Sequence, residues 1–209
     1  IQQLIEKNQF DTIYHEHFSY FSLITADKIF SKHQLKIYDV QELETQGGSL
    51  RVFLCHDDDK TGPISESVLA LRLKEMNAGL NRLEIYMAFS KKVDEVRLGL
   101  LAFLLSLRFD GKTVVAYGVP AKGNTLLNTC GIKSDMLSYA VDRNPYKQGR
   151  FLSGSRIPIY HPDKIKETKP DYLLILPWNL KEEIMDQMAF IREWHGRFVV
   201  PIPRIQVFS

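Results

Sequence analysis

From Lys112 to Pro201 the chain repeats one pattern, a short apolar run followed by a turn and a helical stretch. Residues 113–117, 137–142, 172–176 and 197–201 read as strands. Between them, residues 122–129, a short segment opened by Pro162, and residues 181–194 read as helices. Strands that are apolar along their whole length must be covered on both faces, and their alternation with helices makes them parallel. Residues 111–209 are therefore expected to form a Rossmann-like α/β domain.

The residues ahead of it follow other rules. Thr61-Gly62-Pro63 breaks structure, and Ser65 can cap the helical pattern that carries Val68, Leu69, Leu71, Leu73 and Met76. A second pattern, residues 91–107, repeats Val93, Val96, Leu100, Phe103, Leu104 and Leu107 at helical spacing. Residues 61–110 are thus expected to be a helical bridge, with one helix packed against the sheet that begins at Lys112. Within residues 1–60, 10–14 read as a strand, and Thr25 as the N-cap of a helix running to His33 with Ile29 and Phe30 on its apolar side. Residues 35–40 and 47–55 are close enough in sequence to pair as antiparallel strands.

Composition narrows the functional classes. The 209 residues carry a formal net charge of +2 and no basic block, so nucleic acid is not an expected partner. The longest apolar run, Leu98 to Leu107, contains Gly99 and Ser106 and is too short to span a bilayer. Cys55 and Cys130 lack metal or disulfide spacing and read as buried thiols of a cytoplasmic protein. No signal peptide is visible, and the opening Ile1-Gln2-Gln3-Leu4 lacks an initiator Met, as a fragment would.

Chemistry concentrates in Tyr14-His15-Glu16-His17, which closes the apolar run begun at Phe10. An imidazole is a base that works near neutrality. A regular strand would put Tyr14 and Glu16 on one face and His15 and His17 on the other, so joint action requires the backbone to leave strand geometry near Tyr14. From the residues alone a structural histidine is the leading reading of His17, and His15 reads as a satisfied core histidine. His-x-His also permits a metal pair, but no third ligand is close in sequence, and no metal is expected. Gly118-Val119-Pro120-Ala121-Lys122-Gly123-Asn124 lies between a strand and a helix, where a phosphate cradle can form or where glycines simply permit a tight turn. Lys122 at a helix start opposes the helix dipole unless an anion is bound. Asp142 ends a strand where a ribose-binding acid would lie, although Arg143, Asn144 and Lys147 suit a structured polar loop equally well. Trp178 and Asn179 follow the strand at 172–176, where Trp178 can stack or pack. Gly47-Gly48 reads as a bulge or turn, with Arg51 either a surface residue or a ligand contact.

Tyr14-His15-Glu16-His17, Gly47-Gly48-Ser49-Leu50-Arg51, Gly118 to Asn124, Asp142 to Gly149 and Pro177-Trp178-Asn179, in that order, resemble the C-terminal part of the S-adenosylmethionine-dependent sugar C-methyltransferases, whose best-known members act on dTDP-linked deoxy-4-ketosugars. The resemblance covers nearly the whole chain. It implies that residues 1–60 supply the closing strand, helix and hairpin of a class I methyltransferase domain, and that 111–209 form the nucleotide-sugar domain. It also implies that His17 removes the proton next to the ketone, with Tyr14 and Glu16 around the same sugar. Lys122, Gly123, Asn124, Arg51, Trp178 and Asn179 become candidate substrate contacts. The chain departs from the family's pattern in lacking a zinc cysteine cluster and a glycine-rich methyl-donor loop ahead of Tyr14. S-adenosylmethionine is therefore expected only with an upstream region, and the chain alone is expected to be inactive and to hold no cofactor. A homo-oligomer is compatible with all of this. The competing class is a binding module that holds a nucleotide or nucleotide sugar without chemistry. A nicotinamide oxidoreductase is disfavoured by the spacing of Gly118 and Gly123.

Overall fold

A computed structural model describes residues 1–60 and 62–209, so the expected break at Thr61 begins outside the described residues. The chain packs as two units. Ile1–Gln9 and Phe18–Lys92 form one, and Phe10–His17 and Val93–Ser209 form the other.

The second unit is built on a six-stranded sheet with order β5-β4-β3-β6-β7-β8. The strands are β3 (Val114–Tyr117), β4 (Ala140–Val141), β5 (Ile159–Tyr160), β6 (Tyr172–Ile175), β7 (Arg197–Val200) and β8 (Gln206–Phe208). β3 pairs in parallel with both β4 and β6, β5 and β7 extend the parallel set, and β8 closes the edge antiparallel. On one face Val115, Tyr117, Val141, Leu173, Ile175 and Phe198 pack with Ile165, Ile184 and Ile191 from the helical segments. The intervening residues Val114, Ala116, Ala140, Leu174 and Val199 are buried as well. Both faces are therefore covered, which is why these strands are apolar throughout. The fold is the expected Rossmann-like α/β architecture.

The crossovers are α5 (Ala121–Cys130), α6 (Lys164–Thr168) and α7 (Lys181–Gln187), the last continued by a 3-10 segment at Ala189–Trp194. α4 (Leu83–Phe109) is longer than its apolar spacing predicts, and the division between the units falls within it. Its later part lies on the sheet as expected, with the rings of Phe103 and Tyr172 edge to face at 5.9 Å. Two strands escape the sequence pattern. β5 holds two residues and β8 three, too few for any periodicity to register.

The first unit contains α1 (Gln2–Glu6), α2 (Leu23–Ser31), the antiparallel pair β1 (Leu35–Leu43) and β2 (Ser49–His56), α3 (Glu66–Asn77) and the start of α4. Its core joins Leu23, Ile37, Val40, Val68 and Leu71. Ser65 caps α3 as expected, accepting from the Val68 amide. The N-cap of α2, however, is Ser22 and not Thr25: the Ser22 hydroxyl accepts from the Thr25 amide at 3.1 Å. The buried Glu75 carboxylate takes the amides of Leu23 and Ile24 at 2.7 and 2.9 Å, so the helix starts three residues early with its first donors satisfied. Phe30 packs on this core, whereas Ile29 is 40% exposed. Gly47 and Gly48 form the turn between the strands, at φ +85° and +126°, where a side chain is strained. The bulge lies instead between Ile37 and Asp39. Cys130 is buried, with its thiol pushed up to about 11 by that burial, while Cys55 is only half-buried.

Candidate active site

Phe10 and Asp11 are both buried, a pairing that an alternating strand cannot produce with one face exposed. Instead of the expected strand at 10–14, Phe10–Thr12 forms a single 3-10 turn, and the Ile13 amide donates to the Phe10 carbonyl at 3.0 Å. A second turn follows, closed by the His17 amide on the Tyr14 carbonyl at 2.9 Å. The backbone thus leaves strand geometry through Tyr14, as joint action of these side chains requires.

The turn brings Tyr14 and His17 together. Their ring centroids lie 4.4 Å apart, and the Tyr14 hydroxyl is 3.3 Å from His17 Nε2. His17 Nδ1 sits 2.8 Å from the Thr12 carbonyl. A carbonyl can only accept, so Nδ1 carries a proton, and in the neutral ring Nε2 is the acceptor nitrogen. Glu16 does not reach this imidazole. Its carboxylate points toward His15 Nε2 at 3.9 Å, and both side chains are exposed. His15 is accordingly a surface residue, not a core histidine, because the turn throws it outward. The Thr12 backbone carbonyl is the contact that holds His17 Nδ1.

Asp11 anchors the turn. Its Oδ2 accepts from the Trp178 indole Nε1 at 2.7 Å, and α5 packs against Phe10–Thr12. Trp178 opens the 3-10 segment after β6, and Lys122 lies in the first turn of α5 after β3. Strand order reverses between β3 and β6, so these two loops flank the switch point, where open α/β sheets bind ligands outside their carboxyl ends. The Lys122 ammonium stands 4.4 Å over the Trp178 ring and donates to Asn179 Oδ1. Burial pushes the Asp11 carboxyl up to about 6, against the pull of the Trp178 hydrogen bond and the Lys122 charge. Burial likewise lowers Lys122, and Asp11 opposes that shift. Sequence reasoning missed Asp11 and Thr12. Trp178 lies 167 residues from Asp11, and no local pattern announces such a partner.

The glycines of the β3–α5 loop serve packing. A Cβ on Gly118 would meet Pro177 Cδ at 2.7 Å, with φ at +79°, and one on Gly123 would meet Leu176 Cβ at 2.8 Å. Beyond them the α5 N-terminus has Pro120 as N-cap, without a side-chain cap or an acidic residue in the first turn. The Asn124 Oδ1 is buried there with no hydrogen-bond partner among the described residues. Asp142 is engaged locally: it accepts from the Val119 amide at 2.8 Å, the Asn144 amide at 2.8 Å and Lys147 Nζ at 3.2 Å. With its acid consumed and its glycines filled, this strand–loop–helix does not fit S-adenosylmethionine. Arg51 lies on β2 in the other unit, exposed, with Nη1 3.3 Å from its cross-strand neighbour Gln41. Among the described residues no helix is long and apolar enough to cross a membrane.

Residues 44–203 match the family described as the C-methyltransferase C-terminal domain. Over 209 residues the chain is 39% identical to the C-methyltransferase NovU of Streptomyces niveus, an alignment covering 99% of this chain and 49% of that protein. The chain thus spans about half the length of this relative. With 160 of its 209 residues inside the family match, counted from 44 to 203, the chain belongs to the C-methyltransferase C-terminal domain family.

Proposed function

We propose that this chain is the nucleotide-sugar and general-base portion of an S-adenosylmethionine-dependent C-methyltransferase acting on a nucleotide-linked ketosugar, with dTDP as the carrier. The observation that carries the reading is the His17 imidazole, with Nδ1 2.8 Å from the Thr12 carbonyl and Nε2 3.3 Å from the Tyr14 hydroxyl. Removing a proton next to a ketone needs a positioned base and a donor for the enolate oxygen. Nε2 takes the proton. The Tyr14 hydroxyl, which donates to Nε2 at rest, turns its hydrogen toward the developing oxyanion once Nε2 is protonated. Glu16, exposed beside His15, is a candidate contact to the sugar and not the orienter of the base.

In this reading the methyl donor is held by another part of the enzyme, and the residues of this chain supply the proton transfer. Lys122, Gly123 and Asn124 at the uncapped α5 N-terminus are the diphosphate contacts in this reading. The amides and the lysine charge favour an anion there, and the first turn of α5 carries no acidic residue. Trp178 is committed through its indole N–H and one ring face, so it shapes the wall of the site. Asn179 holds the Lys122 ammonium.

Calorimetry of the chain with dTDP tests the recognition half. Binding weakened by Lys122→Met supports the reading, and absence of binding by the intact chain removes nucleotide recognition from it.

A further inference from the structure

We propose that Asp11 is a positioning residue for the base: its grip on the Trp178 indole fixes the Phe10–Thr12 turn, and with it the Thr12 carbonyl that orients His17. This inference rests on the proposed role of His17. The Thr12 carbonyl opens the second peptide unit after Asp11 and both residues lie in the same 3-10 turn, so displacement of Asp11 carries to that carbonyl. That carbonyl lies 2.8 Å from His17 Nδ1 and selects the tautomer whose Nε2 can accept a proton. The indole at the far end is rooted just beyond the carboxyl end of β6, a central strand whose residues Leu173 to Ile175 are fully buried. The turn is therefore tied to a fully buried strand of its unit's sheet.

Two observations argue against an incidental contact. A carboxylate in this buried place is costly, as its raised affinity for a proton shows, and an amide or apolar residue would pack there with less penalty. The indole N–H could instead be left to solvent or substrate, yet it is spent on Asp11 at 2.7 Å. Lys122 over the same ring keeps a compensating charge beside the carboxylate.

The test uses the enzyme assembled with its methyl-donor domain and follows solvent exchange of the sugar's α-proton alongside methyl transfer. Asp11→Ala lowers kcat for both by roughly 10–100-fold, the scale of a misplaced catalytic group, while KM for the nucleotide sugar changes little. Asp11→Asn, which still offers the indole an acceptor, restores most of the rate, and Trp178→Phe reproduces the Asp11→Ala loss with no further loss in the double variant. Unchanged exchange in Asp11→Ala, or equal loss in Asp11→Ala and Asp11→Asn, overturns the proposal. A second readout is independent of turnover: in NMR spectra of the chain, the Tyr14–His17 ring contact and the His17 Nδ1–H signal persist in Asp11→Asn and vanish in Asp11→Ala. If the unsubstituted enzyme neither exchanges nor methylates the ketosugar, the functional reading fails. The NMR comparison then still decides the positioning claim, and signals that persist in Asp11→Ala reject it.

Discussion

His17 Nδ1 donates to the backbone carbonyl of Thr12 at 2.8 Å, so the main chain helps to orient the imidazole. A backbone carbonyl cannot be removed by substitution, and it presents the same acceptor at any pH. Tyr14 Oη lies 3.3 Å from the other ring nitrogen, within reach of the proposed base.

Tyr14→Phe removes that hydroxyl and keeps the ring against His17. Proton abstraction is expected to fall by roughly 100-fold, as on loss of one preorganised oxyanion donor, with nucleotide-sugar affinity nearly unchanged. Exchange kinetics and calorimetry on the same variant check both parts.

Glu16→Gln is expected to leave the α-proton exchange rate within a fewfold of the unsubstituted enzyme, because the Glu16 carboxylate faces His15 and both are exposed. A collapse comparable to that of Tyr14→Phe would return the orienting role to this carboxylate.

Asp11 links stability to pH in a direction fixed by its shift. Its folded-state value of about 6 exceeds the ordinary 3.8, so the native state holds the proton more tightly than the unfolded chain. The stability contributed is fully present below the ordinary value and is lost as pH rises through 6. Two units at about 1.4 kcal/mol each give at most ~3 kcal/mol, less what Lys122 forfeits without its counter-charge. Asp11→Asn is therefore expected to raise unfolding free energy at pH 7.5 by about 1–2 kcal/mol, with the gain fading as pH falls from about 6 and gone below 3.8. Urea melts of both proteins across that range measure the difference. A variant less stable than the unsubstituted protein at pH 7.5 would refute the buried-charge account.

Gly123→Ala is expected to act through packing. Its Cβ would stand 2.8 Å from the Leu176 Cβ on a rigid strand end, a conflict worth about 1–3 kcal/mol of stability. Thermal melts that show no destabilisation would mean that the loop is not packed as described.

The parallel sheet was legible in the sequence because β3, β6 and β7 are covered on both faces and must be apolar throughout. Ser65 was legible because a cap is a local device. The strand expected at 10–14 was not formed, since Phe10 and Ile13 count as apolar in any local reading while Asp11 is buried by Trp178 from the far end of the chain. The Thr12 carbonyl escaped for a related reason: a backbone acceptor leaves no mark in residue identity. The α2 cap shifted from Thr25 to Ser22 because Glu75, on another helix, satisfies the first amides. What the sequence concealed was long-range polar pairing, and much of the candidate site is built from it.

The most direct measurement of the central claim is the rate at which the enzyme, assembled with its methyl-donor domain and given the nucleotide-linked ketosugar, exchanges the α-proton of the sugar with deuterated solvent, compared between the unsubstituted protein and His17→Asn. The account predicts that exchange in the variant falls by at least ~100-fold, the upper range for loss of a general base, while dTDP still binds. Exchange at the unsubstituted rate, with binding intact, would contradict it and remove His17 as the base.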